Sequence, residues 1–513
     1  MKLFNKSSFS KHTFYYLWIV CGCFLLTICS LHIPFFWDNV YLVSKMAHYY
    51  YENAFPSVVL PLDLDSGHPP FYAMYVAAMW SCFGQILAVS HWAVFPFLIG
   101  LGISYYHLAD YFLPAKAVPY ALFLLLIEPS LLAQSILGGV DVALVCLYLM
   151  ALNGIFYRKR WLLAIALCLM STFSLRGIIA VGLLGTTEFL VKMLENSSLK
   201  PNSFKSLSFI LHRCFSILQK IIPAYLPSIF MVLTWLYYHH EVSGFWVSNP
   251  DSPWAADYGF VDFKGWLKNL VVIVWRLLDY GRIVMWSIAA FLLLQWLLKR
   301  KDTAIEGREL GFNTEIFTSK FQSLFLFILL PLIFYLPFIT LRQTPILHRY
   351  FLPTILLVSI LFVFLWTFIH SQKMRNITFI AVVVALLSGH FWVYPDHIAK
   401  GWDASLAYVP YFELKDEMTA YIEAQNIPFE AVGSEFPAVN PRKFTHLQET
   451  DLQHFIDKDA YEMTDFKYIL QSNVMNDFSE QDLEALQSAK GDWRLEKEVR
   501  KGQVYIRLYE LKE

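Results

Sequence analysis

The sequence predicts an α-helical polytopic membrane protein of about eleven transmembrane helices, followed by a small C-terminal α/β domain on the extracytoplasmic side. Three observations predict it. Of 513 residues, 57% are hydrophobic, 17% aromatic and 16% charged, against roughly 45–50% apolar in soluble domains. Apolar stretches of the ~20 residues needed to cross a hydrocarbon core recur from Tyr15 to Tyr394. Beyond them, residues 401–513 hold 22 Asp and Glu against 12 Lys and Arg, a net charge of −10, while the rest of the chain carries +9. The total of −1 conceals a basic membrane part, 1–394, and an acidic soluble part, 395–513.

The elements follow from these in order. Lys2, Lys6 and Lys11 precede an apolar run with no small-residue cleavage site, so the first helix is expected to be retained. Short cytoplasmic loops keep Lys and Arg, and five clusters can be placed inside: Lys2 to Lys11, Arg158-Lys159-Arg160, Lys192 to Lys220, Lys299-Arg300-Lys301, and Lys373 with Arg375. Spans are then expected near 14–34, 92–112, 118–136, 141–157, 161–176, 177–194, 221–240, 281–298, 321–341, 350–370 and 376–394, with the N-terminus cytoplasmic and the tail outside. Phe71 to Ala88 is apolar, yet counting it as a span would put Arg158-Lys159-Arg160 on the wrong side, so it is expected to be interfacial or re-entrant. Residues 35–90 then form the first extracytoplasmic loop, and loops 241–280 and 342–349 face the same side. The seven cysteines all precede the tail and lack paired zinc spacing, which argues against a disulfide framework and a structural zinc.

Ionisable groups at membrane depth are costly and mark pathways or sites. Asp38 follows the first span; it reads as a reacting carboxylate, a solvated acid at a helix end, or an N-cap. Asp141 follows Gly138-Gly139 and opens an apolar helix, where an N-cap is again an alternative. Asp63 and Asp65 could bind a divalent cation or simply occupy a polar turn. His68 could donate to an anionic oxygen or be an ordinary loop histidine. Arg176, between two spans, could snorkel or bind phosphate. His348-Arg349-Tyr350 precedes a later span. By loop parity these groups converge on one face. Cations suit a lipid-phosphate leaving group, and a carboxylate suits removal of an acceptor's proton during attack on a sugar with oxocarbenium character.

At these residues the sequence resembles the GT-C superfamily of membrane glycosyltransferases, in the branch of protein O-mannosyltransferases and lipid A aminoarabinose transferases. Trp37-Asp38-Asn39 is similar to the acidic motif after the first span, and Gly67-His68-Pro69-Pro70-Phe71-Tyr72, with Phe83-Gly84, to the motif that opens an interfacial helix. Asp141 matches the acid that opens the fourth span, Leu175-Arg176-Gly177 a Thr-Lys-Gly-like motif, and Arg349-Tyr350-Phe351-Leu352-Pro353 a later one. The resemblance implies an inverting transferase in a bacterial cell (inner) membrane, moving one sugar from a polyprenyl-phosphate donor to a protein, lipid or polysaccharide acceptor. It implies Asp38 as general base, Asp141 in support, and His68, Arg176, Arg349 and Tyr350 at the donor phosphate. Asn39, Tyr41 and Tyr72 would make acceptor or loop contacts. No cofactor is implied, and no nucleic-acid partner. Two departures stand out: Asn39 replaces the motif's second acid, and His68 replaces Lys, so phosphate binding there could depend on pH, the ordinary His pKa being about 6.5.

The tail reads as helix over 413–425 and 480–488 and strand over 466–470 and 503–509. With no phosphate loop or nucleophile motif, it would cover the site, engage an acceptor or support the structure. Two other functions fit the same composition. A lipid-linked sugar transporter or flippase would show internal repeats and helices broken at mid-depth; no convincing repeat relates the halves, and the candidate groups cluster outside rather than at mid-depth. A glycan-chain ligase would take a long pyrophosphate-linked donor.

Overall fold

The structure, a computed structural model, describes residues 6–195, 207–247, 250–252, 255–298, 314–395, 402–448, 454–474, 478–488 and 491–512. The basic cluster Lys299-Arg300-Lys301 and residue Lys2 lie outside them. The chain folds as a bundle of apolar helices with a small sheet domain at its C-terminal end. In order, the helices are α1 (Lys6–Ser30), α2 (Met46–Glu52), α3 (Phe71–Phe83), α4 (Leu87–Phe112), α5 (Val118–Leu126), α6 (Pro129–Ser135), α7 (Val140–Phe156), α8 (Arg160–Phe173), α9 (Leu175–Glu195), α10 (Leu207–Ser243), α11 (Phe263–Leu278), α12 (Arg282–Leu298), α13 (Thr314–Thr340), α14 (Leu352–Trp366) and α15 (Gln372–Gly389).

Every expected span coincides with a helix or a bent pair, but length and composition alone qualify six, or up to eight if the pairs α5–α6 and α11–α12, bent by 58° and 89°, each count as one. Of the three expected spans that do not qualify, α7, α8 and α15, the first two have a local cause. With 17 and 14 residues, α7 and α8 are shorter than a full crossing at ~1.5 Å per residue, because α7 begins at the Gly138-Gly139 turn and α8 stops at Ser174. Both breaks carry candidate site residues. Phe71–Phe83 is a 13-residue helix ended by Gly84 at φ 96°, too short to span, in line with its exclusion from the count; Leu87 and Ala88 belong instead to α4. Residues 241–280, expected as loop, contain α11, whose Phe263, Leu267, Val271 and Val274 are exposed along one side. That pattern was missed because its apolar stripe is too narrow to read as a span, and it suits a helix lying along lipid.

The core is continuous apolar packing among α4, α5, α7, α8, α14 and their neighbours. Within it, Arg282 is fully buried and donates from Nε to Glu128 at 2.8 Å and from Nη2 to Ser130 Oγ at 2.5 Å. Glu128 also caps α6 by accepting from Leu131 N at 2.5 Å. Removing one partner of such a pair strands a buried charge, at a cost of about 3–5 kcal/mol. Arg282→Met is therefore expected to lower the thermal unfolding midpoint in detergent markedly, and adding Glu128→Leu to recover most of it; no loss in the single variant would contradict this role.

The tail packs α16 (Pro410–Ala424) against a five-stranded sheet in the order β2-β1-β3-β5-β4, lays α17 (Arg442–Thr445) on Val40–Lys45 of the membrane part, and packs α18 (Glu480–Gln487) on the sheet's edge: β1 is Val432–Ser434, β2 Ile456–Asp457, β3 Tyr468–Ser472, β4 Trp493–Lys501 and β5 Val504–Leu511. The two expected helices and two expected strands are present. β4 was not foreseen, because Arg494, Glu496, Lys497, Glu498, Arg500 and Lys501 make it read as a solvated run. Charge is what an edge strand carries to discourage further pairing. The tail's core extends into the membrane part: Ile33, Phe36, Trp37, Ala133, Ile136 and Leu137 are buried with Tyr408, Tyr411 and Met418.

Candidate functional site

The segment after α1 is extended and held from both sides. Phe35 N donates to Thr445 O at 2.9 Å, Phe36 stacks on Tyr408 at 5.1 Å, and Trp37 meets Phe436 edge-on at 4.7 Å. Trp37 has φ 54°, a left-handed conformation unfavourable for a bulky residue, and a π-helix over Val40–Lys45 follows. Strain and π-turns of this kind collect where a side chain must be aimed. Asp38 is the side chain so aimed. It caps no helix: its carboxylate accepts from Arg349 Nη2, and its side chain is 33% exposed.

Asp141 is presented by the Gly138-Gly139 turn. Gly138 has φ 70°, and a Cβ on Gly139 would lie 2.4 Å from Asn39 Oδ1, so both positions require glycine. Tyr72 fastens the turn by donating to Gly138 O at 3.3 Å and Gly139 O at 3.1 Å. Asn39 and Tyr72 therefore make loop contacts. The N-cap of α7 is Gly139, which corrects the capping alternative for Asp141. Its carboxylate instead accepts from Arg176 Nη1 and lies 3.5 Å from Arg349 Nε.

Arg176 sits in the first turn of α9. A Cβ on Gly177 would meet Met170 O at 1.8 Å, so only glycine lets α9 start this close to α8. His68 docks on the same break: Leu175 N and the Ser174 hydroxyl donate to its Nδ1 at 3.2 and 3.0 Å. That leaves Nε2 as the hydrogen-bond donor. Burial, then the Arg176 charge, holds His68 down at about 4, so at neutral pH it is an uncharged donor rather than a cation.

Arg349 lies in a 3₁₀ turn, His348–Phe351, anchored by a 2.7 Å bond between His348 Nε2 and Asp279 Oδ2. Its guanidinium is the hub. Nη2 reaches Asp38, Nη1 reaches Asp403, and Nε faces Asp141. Tyr350 lies between the two arginines, with Arg176 Cζ 4.7 Å and Arg349 Cζ 5.8 Å from its ring centre.

Below this cluster opens a cleft of about 700 Å³ counting its mouth, lined at one end by Asp141, Arg176, Arg349 and Tyr350 and elsewhere by apolar side chains of α7, α8, α9, α13 and α14. One end carries two guanidinium groups and the other is mainly apolar. The remaining candidates fall elsewhere. Tyr41 lies beside Phe436, with Lys45 Nζ 3.6 Å above its ring. Asp63 is exposed, while Asp65 is buried, accepting from Gly67 N at 2.8 Å and pairing with His239 Nε2 at 2.8 Å. Carboxylates that do gather within 4.8 Å are Glu435, Asp457 and Asp459 in the tail, where Lys458 Nζ lies 3.1 Å from Glu435.

Six of the sequence candidates thus meet: Asp38, Asp141, His68, Arg176, Arg349 and Tyr350. Asp403 joins them unforeseen, since a lone acid in a tail with 22 of them carries no signal of burial.

No family model matches the chain, and no curated protein matches it. Solved structures do. ArnT from Cupriavidus metallidurans in the apo state aligns over 97% of this chain and 98% of its own, with TM-score 0.51 and 11% identity. A structure of ArnT bound to undecaprenyl phosphate aligns over the same shares with TM-score 0.45 and 12% identity. At such identity the likeness is one of fold, and this multi-pass membrane chain shares with ArnT the GT-C fold that its motifs resemble.

Proposed function

We propose that this protein is a membrane glycosyltransferase that moves a single sugar from a polyprenyl-phosphate donor to an acceptor on the extracytoplasmic face, with inversion. The observation that carries the reading is the union of an arginine-lined polar end with a mainly apolar cleft, the chemistry that suits a lipid phosphate and its chain. Asp38 is the general base. It is the most exposed of the three carboxylates around Arg349, at 33% against 6% for Asp141 and 2% for Asp403, and so the one an acceptor can reach. The acceptor hydroxyl gives its proton to Asp38 as its oxygen bonds the sugar's C1, and the C1–O bond to phosphate breaks with its electron pair leaving on phosphate. Arg176 and Arg349 receive that growing charge; hydrogen bonds to charged groups are the strong ones. A phosphate leaves readily as an anion, so no general acid is called for.

The test is incubation of purified protein in vesicles with a panel of labelled polyprenyl-phosphate sugars. Label on an acceptor together with free polyprenyl phosphate supports transfer. Intact lipid-linked sugar in the opposite leaflet would make the protein a flippase, and reaction with pyrophosphate-linked chains alone a ligase.

His68 gives a sharper expectation. Its pKa of about 4 lies below the ordinary value of about 6.5, so the unfolded chain binds more protons between those limits and this residue's contribution to stability rises with pH across that window, being complete above it. Donor affinity should then be flat between pH 6 and 8. A tenfold gain on going from pH 8 to pH 6, abolished by His68→Ala, would show a histidine that is protonated in use.

A further inference from the structure

Asp403 is 2% exposed and rigidly placed. Gln134 Nε2 donates to its backbone oxygen at 2.8 Å and to its Oδ2 at 3.1 Å. Ser130 Oγ donates to Ala404 O at 2.9 Å, while accepting from the buried Arg282 at 2.5 Å. Tyr408 OH donates to Ala133 O at 3.1 Å. The linker into the tail is thus laid along α6, and its carboxylate cannot swing away from Arg349 Nη1.

That arrangement has a charge consequence. Asp38, Asp141 and Asp403 face Arg176 and Arg349, three negative groups against two positive. A sugar-linked lipid phosphate is a monoanion, but the lipid phosphate left after transfer carries up to two charges. In a buried site, arginines alone would retain that product and stall the next cycle. The geometry points to Asp403 as a positioning residue that holds Arg349 in place and competes with phosphate for its Nη1, so that the linker at the base of the tail sets how tightly the released lipid phosphate is kept. This rests on the transferase reading, which itself assigns no role to the tail.

The experiment compares parent, Asp403→Asn and Asp403→Glu, each full-length in nanodiscs, for binding of undecaprenyl phosphate and of the uncharged polyprenol, and for donor KM and kcat. Asn still accepts from Nη1 but lacks the charge. It is expected to bind undecaprenyl phosphate on the order of tenfold tighter, to leave polyprenol binding unchanged, and to lower KM and kcat together as product release slows; Glu returns affinity to near the parent's. A merely structural role would weaken phosphate binding in the Asn variant, and that result, or no change, overturns the proposal while leaving the transferase reading intact. Failure of the parent to bind undecaprenyl phosphate at all overturns both.

Discussion

Asp38→Asn is expected to cut turnover by about 10²–10⁴-fold, the usual contribution of a positioned general base, while donor binding stays close to the parent's. Asn keeps the side-chain shape and an oxygen that can accept from Arg349 Nη2, so the hub need not collapse. What it loses is the ability to take a proton from the acceptor. With one anion fewer around Arg349, the lipid phosphate should be held no more weakly than before. The measurement is kcat and donor KM on the purified variant, with folded yield checked by size exclusion. Turnover within threefold of the parent would remove Asp38 from the chemistry and shift attention to Asp141, which is almost fully buried beside Arg176.

Arg349→Met should be the most damaging single change, because it acts on stability and binding together. The guanidinium is 3% exposed and faces three carboxylates. Deleting it leaves Asp141 and Asp403 buried without that cation, and breaking such a set costs about 3–5 kcal/mol. Loss of undecaprenyl phosphate binding and a lowered unfolding midpoint are expected in the same preparation. Arg349→Lys separates the two effects: it restores the charge, hence much of the stability, but a single ammonium cannot match the planar fork that meets Asp38 and Asp403 at once. Turnover should stay low. A Met variant as stable and as active as the parent would contradict the hub.

Much of the site was legible because membrane topology turns sequence position into spatial side. Asp38, Asp141, Arg176 and Arg349 each stand at the end of an apolar run, and alternation of basic loops places those ends on one face; the tight approaches at the glycines beside Asp141 and Arg176 show only in the fold. Properties set by tertiary contact were hidden. The polar set Gln134, Ser130 and Glu128 lies within an otherwise apolar stretch, and nothing local says that it receives the linker. His68 was expected near its ordinary pKa, since burial against Ser174 and Leu175 is long-range information. Bends in α5–α6 and α11–α12 escaped for a related reason: hydropathy measures how apolar a stretch is, not its direction.

The strained Trp37 bears on how the protein is made. Its left-handed backbone is braced by Phe436, and the carboxylate beside it is neutralised by a residue 311 positions later. At roughly 5–20 residues per second of synthesis, that interval is on the order of tens of seconds. Asp38 must therefore emerge, and wait, without its counter-charge, and the brace arrives later still with the C-terminal end. The segment around Asp38 can therefore take up its final arrangement only after residues 349 and 436 have been delivered and docked.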